Sequence, residues 1–178
     1  MNIYHMIAAL IFPLLSLPVI ASESIEIGTI DVSVQVTEKS KIIVEKTGGG
    51  PLTPLTLKHD LHQQDIYRAQ TPVTVKVKRA KGFRVWLAQP LILRHQADGN
   101  RPGSRQFSAA TVRLRKAGEN RVNTAKLSHN PLVFGHEYSG DGWFSQDYEL
   151  DISAKAPTGN NTMGFYHGVL TLLFEAEA

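Results

Sequence analysis

The chain has 178 residues, 42% of them hydrophobic, no cysteine, and a formal net charge of +3 at pH 7. That length suits a single domain with a real core. The lack of cysteine excludes disulfides, thiolate metal sites and thiol nucleophiles. The charge is unevenly spread: from Arg68 to Arg121 thirteen Lys or Arg face only Asp98 and Glu119, while the stretch from Glu137 onward is acidic. Such a gradient is either a solvated basic face, or a field that guides head-to-tail association or attracts an anionic glycan.

Residues 1–21 carry no charged side chain and include the apolar run Met6 to Ile20, which is too short and too broken by proline for a good membrane span. They read as a secretory signal peptide, with Val19-Ile20-Ala21 before Ser22 as the cleavage region, although the first five residues lack Lys and Arg. A retained N-terminal anchor is the alternative. Export argues against nucleic acid as a partner.

The next stretch, residues 22–40, is an extension that holds Ile30-Asp-Val32-Ser-Val34-Gln-Val36-Thr. Strict alternation puts Ile30, Val32, Val34 and Val36 on one face of a strand that has to bury them. Ile25 and Ile27 fall in the opposite phase, so a bulge is expected near Gly28-Thr29.

The remainder, 41–178, reads as one all-β domain with no helix-length apolar stripe. Ile42 to Val44 is a short strand ended by Gly48-Gly-Gly-Pro51, and Leu55 to Leu57 is another. Thr71 to Arg79 alternates apolar with basic in the half-buried antiparallel manner, and Phe83 to Ala88 is expected beside it across a tight Ala80-Lys-Gly82 turn. Leu91 to Leu93 continues that material, and Asp98 to Gly103 is a loop. Strands follow at 107–115, 132–134 and 147–153, and the last runs from Tyr166 to Phe174. Many short strands between turn residues indicate a sandwich.

The last strand places Tyr166, Leu170, Leu172 and Phe174 on one strongly apolar face, which suits a strand flanked on both sides. No later segment can supply its outer neighbour, so an acceptor groove is expected there. The N-terminal arm of another copy could fill it, main-chain bonds giving affinity and alternate side chains giving register. Burying the four arm residues at ~1.5 to 3 kcal/mol each makes about 6 to 12 kcal/mol before ordering costs. The alternative is an ordinary edge strand within its own domain. An arm lying along its own C-terminal strand, with no hydrophobic cleft left open, would overturn the fibre reading.

These residues resemble a known family. The arm Thr29 to Val36, the stretch Pro54 to Leu57 with Ile66 to Gln70 and Val73 to Val75, and the ending Tyr148 to Ala154, Pro157 to Gly159 and Tyr166 to Leu172 are similar to major pilins of the alpha class of chaperone–usher fimbriae, the colonisation factor antigen and cable pilus group. The resemblance implies an immunoglobulin-like sandwich lacking its C-terminal strand. A periplasmic chaperone supplies that strand first, and the next subunit's extension then replaces it. It makes Ile30, Val32, Val34 and Val36 the donor set and Tyr166, Leu170, Leu172 and Phe174 the acceptor side. Implied partners are neighbouring copies, the chaperone, an outer-membrane usher and a tip adhesin, and the implied place is a surface fimbrium. Thr37 to Ser40 and the basic centre depart from the family pattern.

Other chemistry is weakly supported, and no cofactor is implied. His59 and His62 with Asp60 or Asp65 fall short of the three or four fixed ligands that zinc needs. His136 with Ser139 and Asp141 lacks a nucleophile elbow. Tyr138, Trp143 and Phe144 suit packing or sugar stacking. No enzyme mechanism emerges. The reading is a structural subunit that polymerises by strand exchange, unstable when alone. The alternative is a minor or tip adhesin that binds an anionic glycan through Arg84, Arg94 and Arg113.

Overall fold

The computed structural model describes residues 27–36, 42–99, 101, 103–120, 123–136, 142–159 and 161–177. The leader, the start of the extension and its end at 37–40, and Tyr138 to Asp141 of the glycine-rich loop lie outside the described residues.

Eleven strands order the described chain: β1 (Ile27–Val36), β2 (Ile42–Lys46), β3 (Leu55–Asp60), β4 (Gln63–Lys78), β5 (Gly82–Leu87), β6 (Arg94–His95), β7 (Thr111–Lys116), β8 (Ala125–Lys126), β9 (Leu132–Gly135), β10 (Trp143–Lys155) and β11 (Tyr166–Glu177). Their order along the sheet is β8-β7-β10-β4-β3-β1-β11-β5-β9, with β2 added to β4 and β6 to β11. The path bends at β3, whose first half pairs with β1 and whose second half pairs with β4. The result is an all-β, immunoglobulin-like sandwich that is nearly closed into a barrel.

Period-two burial builds the layers. Along β10 Tyr148, Leu150, Ile152 and Ala154 point inward, and along β4 Tyr67, Ala69, Val73, Val75 and Val77 do the same. Pro72, which has no N–H to give a neighbour, sits where β4 changes partner, β3 pairing up to Arg68 and β2 from Val73. Buried Thr74 donates from Oγ1 to Asp147 Oδ1 at 2.5 Å across the β4–β10 pair. Aromatic rings fill two ends of the core. Phe83, Phe134, Tyr148 and Phe174 cluster at one, and Tyr67, Phe107 and Tyr166 at the other.

Several expectations change. Phe83 to Ala88 is not the hairpin partner of Thr71 to Arg79: β5 pairs with β11 and β9, in the opposite layer. The turn makes the crossing, with Arg79 in the left-handed region at φ 52°. A Cβ on Gly82 would lie 2.2 Å from the Phe134 carbonyl oxygen, so only glycine lets β5 begin this close to β9. Leu91 to Leu93 is buried yet not a strand, because it pairs only as a loop, with Ala110 and Phe107 donating to the carbonyls of Leu91 and Leu93. β10 begins at Trp143, and β8 had no strand signal in the sequence.

Candidate subunit-joining groove

Between β3 and β11 the sandwich needs one more strand to close. β11 turns Tyr166, Leu170, Leu172 and Phe174 inward, each essentially inaccessible, and leaves His167 and Val169 outside. Gly168 lies on the inner face because the loop 91–93 crosses there: an added Cβ would meet the Ile92 carbonyl oxygen and Leu91 Cδ1, both at 3.0 Å, and Leu93 Cγ at 3.3 Å. The opposite wall begins at Leu55 and buried Leu57 of β3.

In the unassembled chain the occupant of this gap is the chain's own arm. β1 runs parallel to β11 over eight residues, pairing Ile30 with Gly168, Val32 with Leu170, Val34 with Leu172 and Val36 with Phe174. It pairs antiparallel with β3 only from Ile27 to Ile30, with a register shift between Ile27 and Thr29, where the phase of the apolar residues changes. Ile30 is fully buried, whereas Val32, Val34 and Val36 are half-buried and packed on the core. Outside, Ser33 Oγ and Thr171 Oγ1 are 2.9 Å apart, and His167 Nε2 stands 3.5 Å from Asp31 Oδ2. The arrangement named above as unfavourable to exchange, an arm along its own C-terminal strand, is therefore present. Among the described residues, however, the arm's second half pairs with β11 alone.

A short tether explains the direction. Residues 37–41 must carry the chain from Val36 to Ile42, which pairs with Val77 of β4 in the facing layer. β2 also approaches β11. With so few residues Val36 has to finish at the Phe174 end of β11, which makes the pair parallel.

A polar clamp fixes the other end of β11. Asp98 accepts from the Arg105 guanidinium at 2.8 Å through each carboxylate oxygen and from the Arg105 backbone N–H at 2.9 Å. These bonds hold its carboxyl well below the usual carboxylate range. Arg105 also donates to the Asn161 carbonyl at 2.6 Å and lies 3.0 Å from His95 Nδ1. Buried His95 completes its bonds at the Met163 carbonyl, and its ring meets Tyr166 edge-on at 5.0 Å. A Cβ on Gly164 would lie 2.1 Å from His95 Nε2, so that glycine is part of the clamp.

The three arginines considered for glycan do not converge. Arg84 is held by Glu175 and Glu177 at one end of β11, and Arg94 bonds Gln106 Oε1 at 2.8 Å beside His167 at the other. Eight residues of strand, ~26 Å, separate those two positions. Arg113 stands in the opposite layer, in a recess of about 260 Å³ shared with Arg68, Arg115, Glu149 and Asp151. His59 bonds the Gln64 carbonyl at 2.7 Å, Asp60 accepts from the His62 backbone N–H, and Asp65 pairs with Lys155; among the described residues no group of three or more could hold a metal ion. Phe144 stacks on His136 at 4.0 Å, and Trp143 carries Lys78 Nζ at 5.9 Å from its ring.

Residues 28–175, from the arm to the end of β11, match the family model described as CS1 type fimbrial major subunit. The chain belongs to that family. The subunit also resembles the CooA pilin subunit of enterotoxigenic Escherichia coli, at 13% identity and a TM-score of 0.49, over 78% of this chain and 99% of that one. A looser likeness, TM-score 0.18 at 9% identity over 68% of this chain and 76% of the other, is to TmCBM61 in complex with beta-1,4-galactotriose. No curated protein matches. This chain is accordingly a structural pilus subunit, joined to other subunits in a surface fimbrium. The sequence did not single out β3 as the second groove wall, nor Gly168 or the Asp98–Arg105 clamp. Leu55 and Leu57 alternate, and that was the available signal for the wall.

Proposed function

We propose that these fimbrial subunits are joined by strand exchange, with Ile30, Val32, Val34 and Val36 of one copy entering the gap between β3 and β11 of the next, against Tyr166, Leu170, Leu172 and Phe174. One observation carries this reading: the gap fits this very segment, four alternate apolar side chains facing the core while the polar ones stay outside. An arm supplied by another copy satisfies the same main-chain and apolar surfaces and links two subunits without a covalent bond.

A periplasmic chaperone covers the gap before assembly, an outer-membrane usher passes subunits into the fibre, and the leader 1–21 sends the chain there. A tip adhesin and host-cell adhesion belong to the same reading, which rests on family membership. Arg84, Arg94 and Arg113 share no surface, so glycan binding through them is not adopted.

The decisive test removes residues 22–36 and co-expresses the shortened chain with its chaperone and usher. Fibres are expected to be absent from electron micrographs while the chaperone complex is still recovered. Fibres of normal length would overturn the assignment.

A further inference from the structure

The same arm and the same gap meet twice, and the two meetings exclude each other. In the isolated chain β1 already occupies the place between β3 and β11. A neighbour's arm cannot enter while it is there, and β1 cannot serve a neighbour while it is held. We infer that the subunit free of its chaperone is self-capped: its own arm closes its groove, and both become available only when that arm is released. The inference rests on the strand-exchange reading.

Three features make the cap both favourable and reversible. The five-residue tether 37–41 keeps the arm at an effective concentration in the mM range, far above that of free subunits in dilute solution. Ile30 is fully buried at the deep end, pinned between β3 and β11. From Asp31 to Val36, however, the arm pairs among the described residues on one side only, and Val32, Val34 and Val36 remain half-buried. The cap is thus strong at one end and open-edged at the other. The tether also imposes the parallel course, whereas an arm from another copy is free to run antiparallel, the slightly more stable pairing per residue. The purified mature subunit is then a folded, non-aggregating monomer, in contrast to the instability anticipated from the sequence.

Because the chain has no cysteine, a designed pair reads the cap cleanly. Ser33 and Thr171 are direct partners across β1 and β11, with their hydroxyl oxygens 2.9 Å apart on the outside, so cysteines at the two positions bring their thiols together. The Ser33→Cys/Thr171→Cys mature chain is refolded dilute and oxidised, then tested for polymerisation with and without reductant beside both single variants. Expected are an intramolecular disulfide in the monomer, loss of fibre formation while oxidised, and recovery on reduction. If no intramolecular disulfide forms while fibres still require the arm, the cap is overturned and strand exchange stands. If the disulfide forms and oxidised chains polymerise as fast as reduced ones, strand exchange falls, and the cap as an assembly gate falls with it. Should the double variant fail to fold, amide hydrogen exchange on the unaltered monomer decides. Protection of residues 29–36 supports the cap, and exchange at the unfolded rate overturns it.

Discussion

Gly168 shows how much the groove depends on one missing side chain. Its place on the inner face of β11 is set by the loop 91–93, whose atoms stand 3.0 Å from where a Cβ would be. Gly168→Val is expected to lower stability by about 1–3 kcal/mol through overpacking, read as a lower urea midpoint at unchanged slope. Leu170→Ala, which empties a fully buried site on the same face, should cost about 2–5 kcal/mol. Asp98 and Tyr148 each give stability a dependence on pH. The Asp98 carboxyl is depressed in the folded chain by its Arg105 bonds, so the folded state holds fewer protons there than the unfolded one. Its contribution is complete above the ordinary aspartate pKa of about 4 and fades as pH falls below it. The stability gap between the natural chain and Asp98→Asn should therefore narrow on acidification, as urea titrations at a series of pH values will read. Burial pushes the Tyr148 hydroxyl up from 10.0 to about 12. The folded state keeps that proton where the unfolded state has lost it, so stability declines as pH rises between those values. Tyr148→Phe should flatten that decline.

At the level of elements, direction and neighbour matter more than the existence of strands. The alternation that marked β1, β4, β10 and β11 in the sequence is the alternation of their burial, because period two is a property of each strand alone. What stayed hidden depended on partners. β5 looks like a hairpin mate of β4, yet the Arg79 turn sends it to the other layer, and Leu91 to Leu93 is apolar because it is covered, not because it is a strand. The groove was half legible: the β11 wall declares itself by composition, whereas the β3 wall is defined only by where β1 lies. The parallel course of β1 was invisible, since it follows from the short tether to β2 and from β2 choosing β4. The arm's one-sided pairing gives a further expectation: Val34→Asp should abolish fibre formation in the micrographs while lowering monomer stability less than Leu170→Ala, because Val34 is half-buried and Leu170 wholly so.

The whole molecule is a sandwich whose last place its own arm fills in the chain alone, a place that the proposal gives to a neighbour's arm in the fibre, and the family to which it belongs makes fibres. The basic middle and acidic ends do not form one charged binding face, since Arg84 and Arg105 are paired internally; charge here serves the fold and the ends of β11. The central claim is that in the fibre the place between β3 and β11 belongs to another copy. A helical reconstruction of the fibre by electron cryomicroscopy, at a resolution that traces strands, reads it directly. The account predicts that the density between β3 and β11 of each subunit is continuous with the adjacent subunit and carries Ile30, Val32, Val34 and Val36 facing inward. Density there that connects through residues 37–41 to the same subunit's β2 would contradict it.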